Sequence, residues 1–122
     1  CMAIAYEQAY ANGVNPDSWI AVEGARARLL LLSVTGDSIW PSAPACTRML
    51  ERLRGAGYPH AYRHENFAQG SHLLCPMPEA SIKRMGRFIR AERQHPTACE
   101  AARREAFALS LAWIAKMEGG PT

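Results

Sequence analysis

The 122-residue chain lacks long apolar runs and has no dense cysteine pattern. No stretch reaches the ~20 apolar residues that a membrane-spanning helix needs, so we expect no membrane partner. The four cysteines, Cys1, Cys46, Cys75 and Cys99, form no C-x-x-C pair and no Cys/His metal spacing. We therefore expect no metal site and no bound cofactor, and we interpret the cysteines as free thiols in a reducing cytoplasm.

An excess of charge of one sign is also missing. The net charge of +3 comes from 14 basic and 11 acidic side chains. The arginines are scattered, and glutamates interleave with them, which argues against a nucleic-acid partner. With 48% apolar and 20% charged residues the composition is that of a globular protein. The length fits one domain, which we assign to residues 1–122.

Helical and strand patterns alternate along the chain. The patterns predict helix 2–12, strand 27–34, helix 43–55, strand 58–67, helix 79–92 and helix 97–117. Thr97 and Glu100 have the spacing of a capping box, so we expect Thr97 to cap the last helix. This order predicts an α/β fold with a short parallel sheet flanked by helices.

Two strands are few for such a sheet. The strand at 27–34 is almost continuously apolar, which is typical of a strand buried on both faces with a neighbour at each edge. Either the missing strands lie in an upstream segment, or another copy of the chain supplies them. We therefore expect a homo-oligomer or a missing-segment partner at the open strand edges. The start, Cys1-Met2, suggests an excised or recombinant fragment, or a start at Met2.

Asp37 and His72 each follow one of the predicted strands, in the turn-forming contexts Gly-Asp-Ser and Gly-Ser-His. In open α/β sheets, catalytic groups collect at the carboxyl ends of the strands. Neighbouring parallel strands would therefore bring these two loops together. An aspartate that faces a histidine can hold the imidazole tautomer and stabilise its cation, as a general base requires.

Other interpretations stand beside the catalytic one. An aspartate after a strand is most often a turn or cap residue, and a loop histidine is most often a surface group. We interpret Trp40 as a packing residue at the helix entry. Cys75 is a weak candidate nucleophile, because three residues of irregular loop do not fix its thiol against His72. The remaining histidines, His60, His64 and His95, are interpreted as surface groups.

Residues 29–76, LLLLSVTGDSIWPSAPACTRMLERLRGAGYPHAYRHENFAQGSHLLCP, resemble a known family. They look like the C-terminal region of the acyl-CoA thioester hydrolase and bile acid-CoA:amino acid N-acyltransferase family, which has the α/β-hydrolase fold. That family has a buried strand, a Gly/Asp-rich turn, Trp-Pro-Ser or Trp-Lys-Ser, an amphipathic helix, a strand and a Gly-x-His loop. Residues 96–114 also resemble the closing helix of the family.

The resemblance implies that Asp37 is the acid and His72 the base of a catalytic triad. The family nucleophile is a Ser or Cys at a G-x-[SC]-x-G turn upstream, and residues 1–36 contain no such turn. We therefore expect a partial domain, the C-terminal part of a hydrolase for acyl thioesters or esters that is inactive alone. The alternative is a non-enzymatic half-domain that self-associates or binds ligands.

Overall fold

The computed structural model describes residues 2–13, 15 and 19–118. It shows a mixed α/β fold with a two-stranded parallel sheet flanked by helices, as the sequence predicted. The elements are α1 (Met2–Ala11), a short 3-10 helix (Val22–Gly24), β1 (Leu29–Val34), α2 (Ser42–Gly55), β2 (Tyr62–Phe67), α3 (Glu79–Gly86), α4 (Arg90–Gln94) and α5 (Pro96–Glu118). Strand β2 is shorter than the predicted range 58–67.

The two strands pair in register over their whole length. Leu29 lies opposite Tyr62 at one end, and Val34 lies opposite Phe67 at the other. Side chains alternate between the faces of a strand, so Val34 and Phe67 point to the same face. There they form a buried core with two small residues of α5, Ala102 and Ala106.

Helix α2 connects the two parallel strands and packs against both. Its predicted apolar stripe is confirmed, because Cys46 and Leu53 are buried and Leu53 is fully inaccessible. The helix ends before Gly57, whose φ of +60° is the left-handed conformation that glycine adopts without strain. At the start of the strands, the Tyr58 hydroxyl donates a 2.6 Å hydrogen bond to the Ala27 carbonyl.

Strand β1 is buried less completely than the sequence suggested. Its four leucines, residues 29–32, keep intermediate exposure, and only Ser33 and Val34 are buried. The amides of Leu29 and Thr35 donate toward the β2 side, so the amides of Leu30 and Leu32 face the other edge. No third strand of the described residues pairs there. With no described strand at this edge, the leucines stay partly exposed.

The prediction of a single helix over 79–92 is wrong, because the helix is interrupted between α3 and α4. Ile89 has extended backbone dihedrals and is buried, with 4% of its surface exposed. Gly86 ends α3 so close to α4 that a Cβ there would lie 3.1 Å from the Cβ of Glu92. The break lets α4 fold back toward the core, which a continuous helix would not allow.

The predicted Thr97 cap is also wrong. Helix α5 begins at Pro96, whose ring presets φ for the first helical position. The Glu100 carboxylate does not cap the helix but pairs with Arg104 at 2.8 Å and with Arg103 at 3.3 Å. Along α5 the apolar residues Phe107, Leu111 and Ile114 remain about half exposed. No helix in the described part of the chain combines the length and apolar character that crossing a bilayer requires.

The thiols give a test of this packing. Cys46 and Cys99 are buried and Cys75 is exposed, and all three are free. Burial raises the pKa of the Cys46 and Cys99 thiols, and the nearby Glu92 carboxylate adds to the rise in the pKa of Cys99. We expect iodoacetamide to alkylate Cys75 at least about tenfold faster than Cys46 or Cys99, because the thiolate is the reacting form and burial disfavours it. Peptide mapping by mass spectrometry measures the rates.

The control is the same reaction in guanidinium chloride, where the three thiols should react at similar rates. Equal rates for Cys46 and Cys75 in the native protein would contradict the packing of α2 described above.

Candidate catalytic site

The two residues that the sequence singled out meet at the carboxyl edge of the sheet. Asp37 lies just beyond the end of β1, and His72 lies just beyond the end of β2. Imidazole Nδ1 of His72 lies 2.9 Å from carboxylate Oδ2 of Asp37. Because the strands are parallel neighbours, their ends bring the two loops to one place.

The Asp37 carboxylate is buried and satisfied by donors from its own loop. Its side chain is 2% exposed. Oδ1 accepts the backbone amides of Ile39 at 2.9 Å and Trp40 at 3.2 Å. Oδ2 accepts the hydroxyl of Ser42 at 3.0 Å in addition to the imidazole of His72. Asp37 is therefore both a turn residue and the partner of His72, so the two interpretations of this residue hold together.

The hydrogen bonds of Asp37 assign the proton on His72. The other three partners of the carboxylate are donors, and a carboxylate oxygen can only accept, so we assign Nδ1 of His72 as a donor to it. In the neutral imidazole the lone pair then lies on Nε2, the nitrogen that a general base would use. Among the described residues Nε2 has no hydrogen-bond partner, and the side chain is 41% exposed. The pair can thus accept a proton from a group that approaches from outside.

A cavity of about 250 Å³ opens beside the pair. Leu32 and Leu74, together with Trp40, Cys46 and Met49 from the loop and α2, form most of its wall. Trp40 packs edge-to-face against Tyr6 with their rings 4.7 Å apart, so its packing role is compatible with its position at the cavity.

A second cavity of about 260 Å³ shares Trp40, Ala45 and Met49 with the first. Tyr10 and Trp19 line it, and the Arg48 guanidinium lies 4.5 Å and 5.2 Å from the centres of their rings.

Neither of the two thiols near the site makes a hydrogen bond to His72 within the described chain. Cys46 lines the cavity, but burial raises the pKa of its thiol and its sulfur lies 3.9 Å from the Leu32 carbonyl oxygen. Cys75 is exposed and makes no hydrogen bond to His72 within the described chain. Neither thiol is therefore placed to give its proton to Nε2.

The other histidines lie outside the site. His60 and His95 are exposed, as expected for surface groups. His64 is half buried, and its Nε2 lies 2.8 Å from the hydroxyl of Ser33 on the sheet face opposite Val34. The described residues contain no cluster of His, Cys, Asp and Glu that could hold a metal ion.

Sequence reasoning missed two supports of the site. Ser42, the first residue of α2, donates to Asp37 and accepts the Val34 amide at 3.2 Å, which joins the acid loop to the strand edge. Its position in the Trp-Pro-Ser run at a helix start was the available signal. The second support is a buried ion pair between Glu92 and Arg103 that holds Ser71, next to His72. No local sequence pattern indicates this ion pair.

Comparisons with protein-family models, curated proteins and solved structures find no match to this chain. Its function is therefore inferred from the geometry of the site.

The two site residues should differ in their contribution to stability. Asp37→Ala removes the acceptor for the amides of Ile39 and Trp40, the Ser42 hydroxyl and His72. We therefore expect the free energy of unfolding to fall by about 3 kcal/mol or more. His72→Ala removes a partly exposed ring, and we expect a loss of about 1 kcal/mol or less. Urea unfolding followed by circular dichroism measures both. Equal losses would show that Asp37 does not hold its loop.

Proposed function

We propose that this chain supplies the acid and base of a nucleophilic hydrolase for acyl thioesters or esters, as the C-terminal part of an α/β-hydrolase fold. The observation that carries the proposal is the 2.9 Å contact between His72 and Asp37 at the carboxyl ends of adjacent parallel strands. Nε2 of the same ring is available beside a cavity, which is what a general base needs.

The cavities support an acyl substrate. Leu32, Met49 and Leu74 form much of the wall beside His72. The adjoining cavity adds aromatic rings and Ile20, with Arg48 and Arg52 also in its lining. Ligand sites typically occupy about 300–1,000 Å³, which the two adjoining cavities reach only together. The apolar part of this lining fits an acyl chain. The resemblance of residues 29–76 to acyl-CoA thioester hydrolases agrees with this choice.

In the proposed reaction His72 relays one proton in each of the two half-reactions, acylation and deacylation. Nε2 accepts the proton of a hydroxyl or thiol while that group attacks the acyl carbonyl carbon, and it then gives the proton to the departing thiolate or alkoxide. Water then gives a proton to Nε2 as it attacks the same carbon. Nε2 returns that proton to the departing oxygen or sulfur of the nucleophile, which releases the carboxylic acid and restores the starting state. Throughout, the Asp37 carboxylate stabilises the imidazolium through Nδ1.

We place the nucleophile outside the described residues. Neither Cys46 nor Cys75 is placed for the role, and residues 1–36 contain no G-x-[SC]-x-G turn. The same turn normally contributes an oxyanion donor, and one such donor is worth ~3 kcal/mol. An upstream segment, or a partner that carries that segment, would complete the site along the open edge of β1.

For the isolated chain we expect negligible thioester hydrolysis. A medium-chain acyl-CoA serves as substrate, and chromatography of free coenzyme A measures turnover without interference from protein thiols. The His72→Ala variant gives the background rate. Hydrolysis by the wild-type chain well above that background would show that the chain contains a nucleophile after all.

The positive test uses the natural reading frame upstream of Cys1. If it encodes a strand and a G-x-[SC]-x-G turn, the extended protein should hydrolyse acyl-CoA, and His72→Ala should lower kcat by about 10³-fold or more. His95→Ala is the matched control, because His95 is exposed at the end of α4. Full activity in the His72→Ala protein would refute the proposed role.

A second candidate function is a non-enzymatic half-domain that self-associates through an open strand edge. The half-exposed leucines of β1 and the edge-facing amides of Leu30 and Leu32 favour it. Exposed strand edges pair readily with other strands.

This candidate predicts a dimer in size-exclusion chromatography with light scattering. Leu30→Pro removes an amide that faces away from β2, so it should dissociate the dimer while the β1–β2 ladder stays intact. Leu30→Val keeps the amide and is the control. A monomeric wild-type chain at all concentrations would rule the candidate out.

A further inference from the structure

The loop that carries His72 has little regular structure of its own. Residues 68–78 connect β2 to α3 without a helix or a strand. Within it the Leu74 amide donates to the His72 carbonyl at 3.1 Å, which makes only a local turn. A catalytic imidazole has to stay aligned with its carboxylate, so such a loop needs anchors outside itself.

The anchor is a buried polar cluster of Ser71, Glu92 and Arg103. The Ser71 hydroxyl donates to Oε1 of Glu92 and accepts the Leu73 amide at 3.1 Å. Arg103 Nη1 donates to the same Glu92 oxygen at 2.5 Å. The Glu92 and Arg103 side chains are 5% and 6% exposed. One hydroxyl thus ties the residues on both sides of His72 to an ion pair between α4 and α5.

Close packing surrounds this cluster. A Cβ at Gly70 would lie 3.2 Å from the Cβ of Ala102, so the loop approaches α5 directly. Cys99 is 1% exposed, and the Glu92 charge helps to raise the pKa of its thiol. Leu73 is 5% exposed. The residues that flank His72 are therefore fixed, while its ring extends toward the cavity.

Burying the charges of Glu92 and Arg103 costs hydration free energy. Burying two opposite charges loses their hydration, and a well-packed apolar pair is often as stable or more stable. We therefore infer that the ion pair serves to specify one arrangement of the surrounding residues. The arrangement that it specifies here is that of the residues beside His72.

We propose that Ser71, Glu92 and Arg103 are positioning residues that hold the His72 ring in hydrogen-bonding alignment with Asp37. They act through the backbone of residues 71–73 and do not touch the cavity wall beside His72. The alignment is a property of this chain, and only its catalytic purpose rests on the function proposed above.

The test is nuclear magnetic resonance of the ¹⁵N-labelled full chain. In the wild type, long-range ¹H–¹⁵N correlations should show His72 as a single tautomer protonated on Nδ1. In Ser71→Ala both tautomers should appear, and the Nδ1 proton should exchange with water about tenfold faster. That factor corresponds to about 1.4 kcal/mol, the size of one hydrogen bond.

Tyr58→Phe is the matched control, because it also deletes one buried hydroxyl hydrogen bond, to Ala27 at the opposite end of the sheet. It should lower the stability by a similar amount and leave the His72 signals unchanged. Unchanged His72 signals in Ser71→Ala, or an equal change in Tyr58→Phe, would overturn the inference.

A second variant changes the same hydrogen bond from its acceptor side, and its fold is checked by circular dichroism. Glu92→Gln keeps the shape and an acceptor oxygen but removes the charge, so the bond to Ser71 weakens. His72 exchange should rise severalfold, and a wild-type rate would count against the inference. If the wild-type chain itself lacks the Nδ1-protonated tautomer, the Asp37–His72 pair fails, and with it the proposed function. If the wild type shows this tautomer and the variants give the same His72 signals and exchange rates, only the positioning role fails.

Discussion

The parallel, in-register pairing of β1 with β2 is the constraint on which the rest of the fold depends. Parallel strands need a crossover connection, and α2 provides it. The same pairing puts the ends of both strands on one edge, where the loops of Asp37 and His72 meet. With six-residue strands, an antiparallel arrangement would have separated these loops by roughly 20 Å. The site thus follows from strand direction before any side chain is considered.

The sequence allowed us to predict those features that depend on local residue patterns. The apolar run of β1, the stripe of α2 and the glycine turns gave the order of elements, the parallel sheet and the positions of Asp37 and His72. These features repeat within a few residues, so they are visible without tertiary contacts. The hydrolase family and the acyl substrate were inferred from resemblance, and they remain proposals.

The sequence could not reveal features that depend on distant partners. The break between α3 and α4 exists because Ile89 is buried and Glu92 packs against Gly86, neither of which helical periodicity records. Glu92 and Arg103 resemble surface charges in a charge-rich stretch, since charged residues are rarely buried unless paired. The two partners of Glu92, Arg103 and Ser71, lie 11 and 21 residues away from it in the sequence. Such contacts become visible only in three dimensions.

The two loops of the site are held in different ways. The Asp37 loop is organised by Asp37 itself, whose carboxylate binds two amides and the Ser42 hydroxyl. The His72 loop is held from outside, by an ion pair to which the imidazole contributes nothing. For evolution this asymmetry has a consequence. If a lineage lost the proposed chemistry, selection for folding would still retain Asp37, whereas His72 would be open to drift. The histidine is therefore the better marker of the proposed activity.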